Sequence, residues 1–214
     1  MQRLADAVRR HGGAAPAARR ALHLVSRAIR SERKLLLFSA PVRDILRLSP
    51  RFEDQATFRA VVASPDEALK MAAANGELVK ALADHLHDIQ TGEELLIGLI
   101  NDRVAAWNIV SCATRTAWPL TETESTLPIG AKDAVFTAGY VAPEYRGRRL
   151  FQCMYGASAD LAATHGASQL WSWCESHNEP SRRAMLAVGF KYQGSHSRLT
   201  VLGIRGPLRI EVAT

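Results

Sequence analysis

The chain has 214 residues, 47% of them hydrophobic, which is enough for one domain with its own core and a short extension. No apolar run approaches the roughly 20 residues that cross a bilayer, and three widely spaced cysteines without a Cys-x-x-Cys pair argue against a disulfide framework or a zinc site. The net charge of +6 sits at the N-terminus: residues 1–34 hold nine Lys or Arg and two acids, a local +7, so the remainder is near neutral and no nucleic-acid-binding surface is expected there. Such a chain suits a reducing, cytoplasmic compartment.

In chain order, Gly12-Gly13 breaks the first segment, and from Pro16 the spacing predicts a basic amphipathic helix. Ala18, Leu22, Val25 and Ile29 share one face and Arg19, Arg20, Arg27 and Arg30 the other. Residues 1–33 are therefore read as a separate basic segment ahead of a domain over 34–214. That segment is a helix packed on the domain, a membrane-surface anchor, a targeting segment or a clamp on an acidic carrier. Leu35 to Ser39 reads as a short strand, and residues 42–63 have no clear assignment. Ser64-Pro65-Asp66-Glu67 starts a helix, since serine caps, proline suits the first turn and acids complement the dipole. It runs towards Asn75-Gly76, and a second helix covers about Glu77 to Ile89.

After Thr91-Gly92 the period changes. Glu94–Ile100 and Val104–Cys112 read as strands joined at Asn101-Asp102-Arg103 in a tight hairpin. Residues 113–132, with Pro119, Pro128 and Gly130, read as a loop with a strand edge. Ala134 to Val141 is a strand stopped by Ala-Pro-Glu. The recurrence of Leu150, Met154, Ala157 and Leu161 then gives a helix from about Arg148 to Thr164, ending at His165-Gly166. Ser168–Cys174 alternates as a strand, Ser181–Val188 makes a short helix stopped by Gly189, and Leu199–Ile204 a last strand. Strands alternating with helices, plus a hairpin, indicate an α/β fold with a mixed sheet.

The turn at 142–149 is basic, with Arg146, Arg148 and Arg149 placed where a helix start exposes unpaired N–H groups and the positive dipole end; this combination suits phosphate. The run Val141-Ala-Pro-Glu-Tyr-Arg-Gly-Arg-Arg-Leu150 resembles the acetyl-CoA-binding motif of the GCN5-related N-acetyltransferase (GNAT) superfamily. A second element, Asn178-Glu-Pro-Ser181 followed by Gly189-Phe190, resembles that family's Asn-x-x-Ser helix. The resemblance spans roughly residues 50–204 and implies a GNAT-like, largely antiparallel sheet flanked by helices. It also implies acetyl-CoA as acyl donor, an amine on a small molecule or peptide as acceptor, and no metal. By position it implies that the backbone at Tyr140 and Val141 meets the pantetheine arm. Arg146, Gly147, Arg148, Arg149 and Leu150 would face the pyrophosphate, and Asn178 and Ser181 would touch the cofactor. Asn178 also reads as an ordinary N-cap.

The sequence departs from the family in three places: Arg149 and Phe151 stand where small residues are usual, and Met185 stands where a tyrosine usually serves as acid. Glu175, at the end of the Ser168–Cys174 strand, is the candidate base, acting directly or through water. Two other readings follow. An acyltransferase drawing on an acidic acyl carrier protein or a longer acyl-CoA would explain the basic N-terminus and the altered loop. A non-catalytic ligand-binding domain would explain Met185. Cys153 reads as core, and Trp171 and Trp173, two apart on a strand, share a face that fills the core or walls an apolar pocket.

Overall fold

Ten strands and five helices alternate along the described part of the chain in the order β1 (Arg30–Pro41), α1 (Val42–Leu48), β2 (Phe58–Ala63), α2 (Pro65–Ala72), α3 (Gly76–Leu86), β3 (Glu93–Ile100), β4 (Arg103–Ser111), β5 (Ala117–Leu120), β6 (Ser125–Pro128), β7 (Asp133–Val141), α4 (Leu150–Thr164), β8 (Gln169–Glu175), α5 (Glu179–Ala187), β9 (Lys191–Val201) and β10 (Ile204–Val212). This computed structural model describes residues 30–50, 58–73, 75–86, 89, 92–112 and 115–213. The basic helix read from Pro16 lies outside them, while residues 30–33 already belong to β1 and pair with β9.

Eight strands form one sheet in the order β10-β9-β1-β8-β7-β4-β3-β2, and β5 and β6 form a separate two-stranded ribbon. Every neighbouring pair in the large sheet is antiparallel except β7 and β8, which run parallel. The sheet is thus mixed and mostly antiparallel, with the helices on its faces. On one face α1, α4 and α5 bury Ile45, Tyr155 and Met185 against Phe38, Phe136 and Phe190. On the other, α2 sets Ala68 and Ala72, and α3 sets Leu78 and Leu82, against Trp107 and Ile109. The β5–β6 ribbon covers the rest of that face, packing Trp118, Leu120 and Leu127 on Leu35, Leu37 and Val135.

Local chemistry accounts for the boundaries. Asn101 and Asp102 take φ of 50° and 61°, the left-handed pair that a two-residue hairpin between twisted strands requires. Ser64 Oγ accepts from the Glu67 N–H while the Glu67 carboxylate accepts from the Ser64 N–H, closing the start of α2. The Ser64 hydroxyl, donating to the Glu67 carboxylate at 2.6 Å, and then the Ser64 N–H hold that carboxyl below its ordinary pKa.

Two sequence expectations are corrected. The last strand, expected over Leu199–Ile204, is in fact two strands, with Leu202 and Gly203 in the turn at φ of 51° and 78°. Pro207 is tolerated because β10 is an edge strand that bonds only β9. The loop expected over 113–132 contains the β5–β6 ribbon, whose Pro119 and Pro128 are accommodated because the ribbon stands outside the main sheet.

Candidate functional site

The parallel seam is short. β7 and β8 pair only over Asp133–Phe136 and Gln169–Ser172. Beyond Phe136, β7 follows β4 to Val141 while β8 follows β1 to Glu175. The strands part, and the gap is a cleft of about 950 Å³ walled by β7, β8 and the starts of α4 and α5.

A bulge shapes its β7 wall. The β4–β7 register slips between Ile109 and Val110 and leaves Thr137 unpaired as the extra residue. As a result Phe136, Gly139 and Val141 turn to the α4 side, while Ala138 and Tyr140 pack towards α2 and α3. Gly139 is bare for a reason: a Cβ there would lie 2.8 Å from Phe136 Cζ and 2.9 Å from Phe151 Cε2. The missing Cβ is what lets the two rings pack against β7 at this point.

At the outer end the Ala142 N–H donates to Ala105 O across β4 at 2.9 Å, and the preceding Val141 carbonyl points the other way, accepting from Arg146 Nε at 3.1 Å. Strand alternation turns the peptide groups of Gly139 and Val141 to the same open side. A 3-10 turn, Pro143–Tyr145, leads into a loop in which Gly147 and Arg149 have φ of 78° and 59°, and α4 starts at Leu150. The first N–H groups of a helix lack intrahelical acceptors, and here they open beside Arg146 and Arg149 in the cleft wall. Tyr140 is gripped from three sides: its hydroxyl donates to Glu77 Oε1 at 2.8 Å, Trp107 stacks at 6.4 Å, and the Arg146 guanidinium sits 5.5 Å from its ring. Desolvation and the Glu77 bond raise its pKa.

The cleft brings together Tyr140, Val141, Arg146, Gly147, Arg149, Leu150, Asn178 and Ser181. Arg148 stands apart from the lining, its guanidinium over the Tyr145 ring at 6.0 Å. Asn178 caps α5, its Oδ1 accepting from the Ser181 N–H at 3.2 Å, and it also lines the cleft. Glu175 does not line it; its carboxylate pairs with Arg33 and with His177, each at 3.1 Å. Phe151 points inward, its ring 5.6 Å from Phe136 and 5.1 Å from Tyr155, and so forms floor and not obstruction at the loop. Met185 is fully buried in the same cluster.

The inner end was not foreseen. Phe136, Tyr155, Ser172 and Cys174 close it. Tyr155 has no exposed surface and its hydroxyl makes no hydrogen bond of ordinary geometry. Burial pushes its pKa far up, and hydrogen-bond interactions with the Ser172 and Ser181 side chains act the other way. Burial likewise raises the Cys174 thiol to about 11, so it is no ready nucleophile. Nothing in the sequence separates these from core residues, since Tyr155 sits on a helix buried along much of its length. Among the described residues, no group of three or more His, Cys, Asp or Glu is placed to hold a metal ion, and no helix is long and apolar enough to cross a membrane.

No protein-family model matches the chain, and no curated protein matches it in sequence. Solved structures do match its fold. A functionally unknown conserved protein from Staphylococcus epidermidis aligns with a TM-score of 0.54 at 10% identity, over 84% of this chain and 66% of that one. An acetyltransferase from the GNAT family of Novosphingobium aromaticivorans aligns at 18% identity and a TM-score of 0.49, over 86% and 66%. One from Colwellia psychrerythraea aligns at 14% and 0.46, over 86% and 57%. The chain thus spans about two-thirds or less of the length of these three proteins. Its structural neighbours thus include GNAT-family acetyltransferases at low identity.

Proposed function

We propose that the chain binds acetyl-CoA in the β7–β8 cleft and transfers the acetyl group to an amine. One observation carries this reading: a single cleft joins an anion-suited loop, at Arg146–Leu150, to the edge of β7 that faces away from β4, at Gly139 and Val141, and ends where the strands part. A ligand with phosphates at one end and an amide-bearing arm fits that order. The loop N–H groups and the guanidinium groups of Arg146 and Arg149 take the phosphates. The Gly139 peptide group and the Val141 N–H, which face away from β4, pair with the amides of the arm, and Asn178 and Ser181 close the opposite wall. The amine attacks the thioester carbonyl, the C–N bond forms, and the C–S bond breaks with its electron pair going to sulfur. The amine proton leaves through water, and Glu175, next in chain to the cleft-lining Cys174, is the candidate acceptor.

The test is calorimetry of the full chain with acetyl-CoA, CoA and 3′-dephospho-CoA at two salt concentrations, followed by thiol release over a panel of amines. Binding that weakens in salt, with turnover on at least one amine, is the expected result. A folded sample that binds none of the three overturns the proposal, and binding without thiol release on any amine favours a non-catalytic ligand-binding domain.

A further inference from the structure

At its β10 end the large sheet is open. Among the described residues β10 bonds only β9, and it shows apolar side chains to solvent: Ile210 is 57% and Val212 77% exposed, with Leu208 half-buried beside them. Soluble proteins usually blunt such an edge. Here a bulge between Arg205 and Leu208 ends the irregular part, and Leu208–Val212 follows β9 without a register shift. The Ala213 N–H donates to Gln193 O at 3.0 Å. By antiparallel alternation Arg209 and Glu211 also turn their N–H and C=O groups to β9, while Leu208, Ile210 and Val212 turn theirs outward. The side chains divide in the same way. Leu208 and Ile210 stand opposite Arg198 and His196, whose side chains bond Thr123 and Ser125 of the β5–β6 hairpin, so Leu208, Ile210 and Val212 lie on the ribbon's face of the sheet. Arg209 and Glu211 take the other face, where Glu211 Oε2 accepts from Lys34 Nζ and from Ser195 Oγ, both at 2.9 Å.

We propose that β10 pairs with β10 of a second copy of this chain, antiparallel and centred on Ile210, so that the two large sheets run on into one. A two-fold pair must bring outward backbone groups against outward ones. Centred on Arg209 or on Glu211, it would set like charges directly opposite each other, which destabilises a sheet. Centred on Leu208 it would run into the bulge, and centred on Val212 it would run off the strand. Centred on Ile210, every contact is complementary. Arg209 meets the partner's Glu211 and Glu211 the partner's Arg209, on a carboxylate whose side chain is still 63% exposed. On the opposite face Leu208 meets the partner's Val212 and Ile210 meets its own copy, covering the apolar stripe. Pro207 falls opposite Ala213, a position whose N–H is turned to β9, so the missing proline N–H costs nothing and the bulge stops the pairing there. The contact is small, and it forms a dimer that dissociates on dilution. It is independent of what the cleft binds.

Sedimentation velocity of the full chain over roughly 1–200 μM should show a monomer giving way to a dimer. Ile210→Lys sets two ammonium groups together at the centre; on a side chain already exposed it should keep the wild-type circular-dichroism spectrum and abolish the dimer at every one of these concentrations. Charge tests the register. Arg209→Glu places a carboxylate against the partner's Glu211, and Glu211→Arg places a guanidinium against the partner's Arg209, so each variant alone should associate about tenfold more weakly or worse. Mixed in equal amounts, the two variants complement each other at both contacts and should form a one-to-one heterodimer about as tight as the wild-type dimer. A wild type that stays monomeric throughout, a dimer that survives Ile210→Lys, a single charge variant that dimerises as the wild type does, or two variants that fail to restore each other overturns the proposal.

Discussion

The two ends of the cleft are built on opposite principles. The outer end is a loop of exposed arginines on backbone that L-residues seldom adopt, with Arg149 at φ 59°. The inner end is aromatic, with Phe136, Phe151 and Tyr155 in mutual contact and Phe190 against Tyr155. On the proposed reading charge and strain at one end serve binding, and packing at the other holds together the short seam between two antiparallel half-sheets. Changes at the inner end should therefore show up in stability, and changes at the outer end in ligand affinity.

The largest expected effect is at the inner end. Phe136 is 4% exposed and touches both Phe151 and Tyr155 by their ring faces or edges. Phe136→Ala should cost about 3–5 kcal/mol, the usual loss for a buried phenylalanine, measured by urea unfolding. A loss below about 1 kcal/mol would mean that the seam is held elsewhere and that the comparison is wrong. Next comes the outer end. Arg146→Ala with Arg149→Ala should weaken CoA binding by roughly 100-fold, since charge-assisted bonds contribute about 1.5–3 kcal/mol each, and should flatten its salt dependence while leaving the urea midpoint nearly unchanged. Undiminished affinity in the folded double variant would remove the loop from the site.

A pH series sharpens the contrast, because the inner end carries a displaced titration. Burial raises the Cys174 thiol from its ordinary 9.0 to about 11, and the Cys153 thiol, on α4 outside the cleft lining, likewise to about 11. Between those values the folded state holds more protons than the unfolded one. The stability from the neutral thiols is thus complete below pH 9 and declines as the pH climbs towards 11. At pH 10 the loss is on the order of 1 kcal/mol per thiol. Cys174→Ser should remove its share of the decline in melting temperature between pH 8 and 10; an unaltered slope would show that the thiol is not sequestered.

Much of this frame was legible because local chemistry decided it. Asn101-Asp102 prefers the left-handed turn wherever it stands, Ser64 and Glu67 cap each other without help from the fold, and Asn178 caps α5 as its place before Glu179-Pro180 indicated. The loop Arg146–Leu150 was legible for the same reason. The rest depended on tertiary placement. Arg148 and Arg149 are neighbours in sequence, yet only the backbone turn decides that one stacks on Tyr145 and the other enters the cleft. Glu175 follows Cys174, but strand alternation gives it the face of Trp171 and Trp173 and the reach of Arg33. Tyr155 could not be told from a core aromatic, since its helix is buried along much of its length. β9 and β10 were hidden because Arg198, Arg205 and Arg209 interrupt an apolar alternation that an edge hairpin has no need to bury.

Arg149→Gly sets the two principles against each other at one residue, and its expected effects are the smallest and the most instructive. An L-residue in left-handed conformation costs about 1–2 kcal/mol, and glycine pays none of it. Glycine also loosens the unfolded chain by about 0.4–1 kcal/mol, so the net gain in stability should be about 0.5–1 kcal/mol. For a chain of this size that is about 2 °C in melting temperature. The same change removes a guanidinium from the cleft wall and should weaken CoA binding about tenfold. A more stable protein that binds less well is the outcome expected if the strain at Arg149 is kept for the sake of the ligand. If Arg149→Gly instead leaves affinity unchanged, the backbone N–H groups carry the phosphates unaided, and the outer end works by shape and helix dipole more than by added charge.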